Sequence, residues 1–413
     1  MSEKTNGAKN AIKVLKDFIL SAMGLVVMNG AMQLFINPTL EKWLGKTGFG
    51  EYQSIFAIVA IMGTTFGVAA NYSRVLKSRE NRDSNGDYNL FMLMSACVCV
   101  AAAGVTLYVY KDFTVAGFCL LSLLMIFTVL RYYGDCWFRL KLDYLGYFFY
   151  YVAVTAGYCA GLAIFRYLVK SWMIAILAGE VAAVVFVFFA GKIFRGQGLL
   201  RRSEHFSGNF RSFGILSASN AVSAVIQNAD RIILRLAIDP AAVTVFYVST
   251  LLGKVVSLLT TPLNGVMIGY LARFKGKISK KMFLIFTLAA LGVGVVACAA
   301  CYVGSLILIP ILYRSDPELI AEARQYYLIA NAGQVFFFVT NCLTTIILRM
   351  AGEKYSMYTN LFYLVVYAAA VIPLTLTRGI WGMATGLMIA NAAKFVFVAL
   401  IGIMRSGEKS IGE

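Results

Sequence analysis

About twelve apolar stretches, each close to the roughly 20 residues that a helix needs to cross a bilayer, fill this chain and leave little room for a soluble domain. Their expected cores lie at 18–38, 50–71, 89–110, 113–132, 147–167, 172–191, 212–236, 244–268, 282–304, 327–348, 357–377 and 380–404. The fold class read from this pattern is all-α: a polytopic membrane protein of about 12 transmembrane helices. The seventh core is the least apolar, because Asn220, Gln227, Asn228, Asp230 and Arg231 interrupt it. The stretch 305–326 has room for a short re-entrant or interfacial helix. With 60% hydrophobic and 14% charged residues, and a mean hydropathy of +0.75, the composition belongs to a protein solvated mainly by lipid.

A formal net charge of +17 raises nucleic acid as a partner, so the positions of the cations decide. They fall in alternate loops. Lys4, Lys9, Lys13 and Lys16 precede the first span, Arg74, Lys77, Arg79 and Arg82 follow the second, and Arg131, Arg139 and Lys141 follow the fourth. Lys192, Arg195, Arg201, Arg202 and Arg211 continue that face, as do Arg273, Lys275, Lys277, Lys280 and Lys281, then Arg349 and Lys354, then Arg405 and Lys409. The opposite loops hold mainly Lys42, Lys46, Lys111, Arg166, Lys170, Arg314 and Arg378. The positive-inside rule then places both termini in the cytoplasm with an even number of spans. The basic balance is topological, and no nucleic-acid partner is expected. The first apolar run is too long for a cleavable signal, and Lys9, Lys13 and Lys16 share a face opposite Ile12 and Val14, as in an interfacial lead-in helix.

Chemistry-bearing residues are scarce. Cys97, Cys99, Cys119, Cys159, Cys298, Cys301 and Cys342 fall within spans and read as small packing residues, and the Cys298/Cys301 pair has no nearby His, Asp or Glu. His205 is the single histidine, and Glu180 and Asp230 are the carboxylates expected at membrane depth. Paired-acid, Ser/His/Asp and metal-hydrolase chemistries each lack a partner. No enzyme, metal or cofactor is expected.

The chain divides into two similar halves: an N-lobe at 18–191 and a C-lobe at 212–404, six helices each, joined by the basic loop 192–211 and flanked by the segment 1–17 and the tail 405–413. Gly48 to Ser54, leading into span two, resembles Val243 to Ser249, leading into span eight, with Tyr52 and Tyr247 matched and Pro38 and Pro240 in the preceding loops. Duplicated halves suit a transporter whose bundles rock about a central cavity.

Polar residues that lipid cannot solvate point to that cavity. Asn220, Ser223, Gln227 and Arg231 share one face of span seven, extended by Arg235; span one carries Asn29, Gln33 and Asn37. Span eight adds Lys254 and Asn264, span ten Asn331, Gln334 and Asn341, and span twelve Asn391 with Lys394. A stripe of this kind must face protein or water. Among the charges, Arg231, Lys254 and Lys394 outnumber Asp230 and Glu180, which favours an anionic ligand. The alternative is internal pairing, Asp230 with Lys254 and Glu180 with another cation. The GxxxG spacings at Gly63/Gly67, Gly157/Gly161, Gly265/Gly269 and Gly382/Gly386 read as close helix packing. The run Tyr144, Tyr147, Phe148, Phe149, Tyr150, Tyr151 reads as an interfacial aromatic belt, and Pro262 as a bend in span eight.

The basic N-terminus, Gly48-Phe49-Gly50-Glu51-Tyr52, Asn71 to Arg74 closing span two, and above all Asn228-Ala229-Asp230-Arg231-Ile232-Ile233-Leu234 followed by Tyr247 and Pro262 resemble a known family. It is the polysaccharide transporters of the multidrug/oligosaccharidyl-lipid/polysaccharide superfamily, in particular O-antigen and capsule repeat-unit flippases, over most of the length. The resemblance implies a two-lobed, MATE-like fold in the bacterial inner membrane that flips a polyprenyl-pyrophosphate-linked oligosaccharide from the cytoplasmic to the outer leaflet. In that frame Lys254, Arg231 and Lys394 hold the diphosphate, and Asn29, Gln33, Asn220, Gln227, Asn264, Asn331, Gln334 and Asn391 bond sugar hydroxyls. Arg74, Arg131 and Arg349 receive the headgroup first, unless they serve as ordinary positive-inside anchors. Asp230 and Glu180 are candidates for coupling to H+ or Na+. Expected partners are the lipid-linked oligosaccharide, membrane lipids and other polysaccharide-assembly membrane proteins, around a monomer. The alternative function is a MATE-type cation-coupled multidrug exporter, which needs buried carboxylates of its own.

Overall fold

The computed structural model describes the backbone at residues 19, 22–191, 193–194, 200–258, 260, 263, 267, 279–351 and 353–406, and the side chains at these positions apart from 79, 348–351, 353–354 and 356–357. The N-terminal lead-in with its four lysines, Asn264, Pro262 and Gly265/Gly269 lie outside the described residues, as does the side chain of Arg349.

Every regular element described is a helix. In chain order they are α1 (Ala22–Ser78), α2 (Asn85–Val109), α3 (Val115–Gly134), α4 (Cys136–Lys141), α5 (Tyr144–Tyr167), α6 (Trp172–Ala190), α7 (Phe206–Ala237), α8 (Pro240–Ser249), α9 (Leu251–Leu258), α10 (Lys280–Leu312), α11 (Pro317–Arg324), α12 (Tyr327–Ala351) and α13 (Glu353–Arg405). Among the described residues eight helices are long and apolar enough to cross a membrane, or nine if the bent pair α8 and α9 forms one span. Two of the eight are double length. α1 is broken at Gly45 (φ +71) and α13 at Gly379 (φ +60), left-handed conformations that glycine reaches without a Cβ clash. α7 overlaps the seventh expected core but fails on apolarity, as its polar residues foretold.

Starts are set by capping. Thr114, Asp143, Asp239, Ser279 and Asp316 each accept the backbone N–H of the residue three positions on, which satisfies donors that helix N-termini leave open. Bare apolar side chains on the helix flanks, such as Val295 and Val296 at 70% exposure, are tolerable because the solvent there is hydrocarbon. The chain is a multi-pass membrane protein.

The chain forms two compact units: residues 1–40 with 55–229, and residues 41–54 with 230–413. In the first, α5 and α6 meet where Gly157 and Gly161 face Gly179 and the Ala175 carbonyl, and α1 lays Gly63 and Gly67 on Tyr132 and Val129 of α3. The α1 residues concerned form a π-helical turn, Gly63–Val68, with a second at Met32–Ile36. Phe91 of α2 packs on Phe206, Phe210 and Phe213 of α7. In the second unit the core runs through Phe283, Val335, Phe338, Val339, Leu343, Phe395 and Val398. There Gly382 and Gly386 bring the two arms of α13 together against Leu374 and Val371.

The bend expected at Pro262 lies outside the described residues; a separate bend of 59° divides α8 from α9. No proline causes it. Thr250 donates its hydroxyl to the Phe246 and Tyr247 carbonyls, Ser249 to those of Val245 and Ala323, and Asn331 donates to the Ser249 carbonyl. Side chains thus take carbonyls that a continuous helix would use, and the chain turns there. In the stretch 305–326, α10 continues through Pro310 to Leu312 and a short helix, α11, follows, for which the sequence left room.

Candidate functional site

The second unit gathers three of the cations singled out from sequence. Asp230 and Arg231 stand near the end of α7, Lys254 on α9 and Lys394 on α13. The Lys254 ammonium lies 3.3 Å from Asp230 Oδ2, and the face of Tyr247 receives both Lys254, at 5.3 Å, and the Arg231 guanidinium, at 5.7 Å. Ring faces carry negative potential, so Tyr247 holds two cations close without neutralising either. Lys394 is 4% exposed and sits over Tyr363 at 4.8 Å and Phe337 at 5.7 Å; among the described residues it has no carboxylate partner. Asp230 stands near Tyr363 and Tyr367 as well. Of the three cations, Lys254 alone is paired with a carboxylate among the described residues.

Several polar atoms in this cluster are buried with no protein partner: Asp230 Oδ1, Arg231 Nε, the Tyr367 hydroxyl and Asn391 Oδ1. The other side of the Asn391 amide donates to the Gly333 carbonyl at 3.1 Å. Unmatched donors and acceptors at this depth are costly unless water or a ligand meets them. The arrangement can bind an anion through Lys394, Lys254 and Arg231 and hydroxyl groups through Tyr367 and Asn391.

Other expected site residues are committed elsewhere. Asn331, fully buried, accepts the Gly253 N–H at 2.7 Å and donates to Ser249, Ser305 and Tyr327, so its amide holds the α8–α9 bend. Gln334 is half-buried and packs beside Gly253. In the first unit Asn29 donates to the Leu25 carbonyl one turn back, and Asn220 donates to the Thr64 carbonyl at 3.4 Å. Gln33 is half-buried, whereas Gln227 is exposed.

Arg131 and Glu180, expected in separate roles, form one buried ion pair, with Tyr158 donating to Glu180 and the guanidinium over Tyr132 at 4.2 Å. Arg74 is equally engaged: it donates to Tyr133, Asn85 and Asp83 and lies against the rings of Tyr88 and Tyr133. The tyrosine run is less a belt than a network. Tyr147 and Tyr151 donate to Asp135, which also takes Asn71 and Arg139, while Tyr150 donates to the Arg131 carbonyl.

Sequence reading missed Tyr247, Tyr363 and Tyr367 as site residues. It missed the buried carboxylates Glu41, Asp87 and Asp135 too, because a carboxylate near a loop reads as solvated. Tyr247 did carry a signal, its match to Tyr52. The two matched segments lie together in the second unit, with Phe49 edge-on to Tyr247 at 5.5 Å and Gly50 against the Pro240 carbonyl.

No protein-family model and no curated protein matches the sequence. Solved structures do. An inward-facing multidrug resistance MATE family transporter of the MOP superfamily is 14% identical, with 94% of each chain covered and a TM-score of 0.64. The lipid II flippase MurJ in an inward closed conformation is 11% identical over 94% of this chain and 86% of its own, with a TM-score of 0.66. The Vibrio cholerae MATE transporter VcmN in its bent form is 13% identical over 96% and 98%, with a TM-score of 0.58. The fold is thus the one shared by MATE transporters and MurJ.

Proposed function

We propose that this protein is a flippase that carries a polyprenyl-pyrophosphate-linked oligosaccharide from the cytoplasmic to the outer leaflet by alternating access. One observation carries the reading: Lys394 is buried against the Tyr363 and Phe337 rings with no carboxylate partner among the described residues, in the same unit where Lys254 pairs with Asp230 and Arg231 lies over Tyr247. A charge at the centre of a spanning helix costs at least about 2.5–3.5 kcal/mol. An uncompensated one is explained by a ligand that brings the counter-charge, and a diphosphate does so. Tyr367 and Asn391 then offer unfilled hydrogen bonds to sugar hydroxyls. The fold supports this reading, because one of the solved chains that share it, MurJ, is named a lipid II flippase.

On this reading the two halves are the rocking lobes, both termini face the cytoplasm, and the protein sits in a bacterial inner membrane. Lys394 and Lys254 grip the diphosphate, Arg231 completes the cationic wall, and the lipid tail stays in the bilayer. MATE transporters share the fold, so a multidrug exporter is the competitor, and charge separates the two: a cationic drug gains nothing from three cations.

The test is deletion of the gene in its host, leaflet-resolved detection of the lipid-linked oligosaccharide, and complementation with wild type and Lys394→Ala. Inner-leaflet accumulation is expected, rescued by wild type and at least tenfold less by Lys394→Ala at equal membrane abundance. Unchanged lipid-linked pools, with altered tolerance to cationic dyes, would establish the exporter instead.

A further inference from the structure

Glu41 belongs to none of these roles. It lies between the first two expected spans, in the segment 41–54 that packs with residues 230–413. Contacts within that unit fix the segment from end to end. Thr244 donates its hydroxyl to the Lys46 carbonyl at 2.6 Å, Lys46 pairs with Glu322 at 2.5 Å, Arg235 pairs with Glu51 at 2.6 Å, and Phe49 packs on Tyr247. Closing the segment places the Glu41 side chain at 1% exposure. Its Oε2 has no hydrogen-bond partner, and among the described residues no lysine or arginine pairs with it.

The groups that face Glu41 make ionisation worse. Asp316, which caps α11 by accepting the Leu319 N–H, presents a like charge. Tyr313, at the end of α10, is fully buried with its hydroxyl also unpartnered, and Glu41, Tyr52 and Tyr247 stand near it. A buried carboxylate with no counter-charge and one oxygen lacking a donor is disfavoured, and its neutral acid is not.

We infer that Glu41 is a proton-binding site that latches the 41–54 segment: the segment packs with Glu41 protonated and releases one proton to water when it lifts and the side chain hydrates. In the release step the Glu41 O–H bond breaks, the carboxylate keeps the electron pair, and water takes the proton. Burial, and then the Asp316 charge, push the closed-state carboxyl up to about 7, whereas the hydrated group has the ordinary carboxylate value. The closed state therefore holds the extra proton between those limits. Release becomes easier by about tenfold per pH unit as pH rises toward 7 and levels off above it. Glu41 thereby supplies a proton linkage that the cation cluster does not, whichever solute is carried.

Hydrogen–deuterium exchange of a peptide covering 41–54, in the full-length protein in lipid nanodiscs from pH 5 to 8 and corrected for intrinsic exchange, tests it. Wild-type opening is expected to rise toward pH 7 and then flatten. Glu41→Gln, a permanent mimic of the acid, is expected to keep the low-pH protection throughout. Asp316→Asn retains the cap and removes the charge, so its plateau is expected to begin at lower pH. A wild-type curve without pH dependence, or the same curve in Glu41→Gln, would overturn the latch. If Glu41→Gln does not accumulate, Asp316→Asn decides, and an unmoved plateau overturns the latch equally.

Discussion

Single residues divide here by whether their partners are supplied from within. Arg131 and Arg74 are matched by carboxylates and hydroxyls within the protein. Lys254 is half-matched, since Asp230 bonds it through one oxygen and leaves the other open. Removing one partner of a buried pair costs about 3–5 kcal/mol, because a charge is stranded. Asp230→Asn should therefore destabilise the protein severely, with Lys254 and Arg231 left to repel each other around Tyr247. Adding Lys254→Met should recover most of the loss in a detergent melting assay, yet transport should stay absent, since the lysine is wanted for the ligand. Recovery of both would reduce the pair to a structural bridge. Lys254, Arg231, Lys394 and Asn391 were legible because a cation or amide in an apolar run has no cheap explanation. The tyrosines were not: in a chain with 23 of them, their hydroxyls give no period, and the same residue serves belts, packing and binding alike.

At the level of elements, apolar length and glycine spacing carried most of the reading, for the physical reason that lipid demands closed backbone hydrogen bonding and lets helices approach only over small residues. Gly161 illustrates the second point. A Cβ there would overlap the Ala175 carbonyl of α6, whereas Gly292 of α10 has open space around its missing Cβ. Gly161→Val should force α5 and α6 apart, cost about 1–3 kcal/mol as overpacking does, and lower membrane abundance and melting temperature. Gly292→Val should leave both near wild type, and equal losses in the two variants would mean that general helix effects, not the close approach, are being measured. The α8–α9 bend escaped the sequence because its cause is a set of Ser, Thr and Asn side chains, Ser249 of α8, Thr250 at the junction and Asn331 of α12. Proline announces a break locally, whereas a convergence of hydroxyls exists only once the helices are packed.

Across the whole molecule the charge pattern makes a claim about orientation that the helix order sharpens. If both termini are cytoplasmic and each arm of α1 and α13 crosses once, then the turns near Arg82, Leu142 and Arg202 share one side and those near Lys111, Val169 and Arg314 share the other. Each of these six residues is exposed, so a cysteine at any of them is accessible without disturbing packing. The chain has eight cysteines, none in a disulfide and three of them, Cys97, Cys119 and Cys159, exposed, so all eight are replaced first to give a silent background. Single cysteines at Lys111, Val169 and Arg314 should react with a membrane-impermeant maleimide in intact cells. Those at Arg82, Leu142 and Arg202 should react only in inverted vesicles. Lysine and arginine, not net charge, resist translocation, and the outer turns hold few of them, Lys111 and Arg314 included. Uniform reversal of the pattern would turn the cation cluster's route end for end and sink the inward-to-outward flippase. A mixed pattern would mean that one of the double-length helices fails to cross twice, and the lobes would have to be redrawn at Gly45 or Gly379.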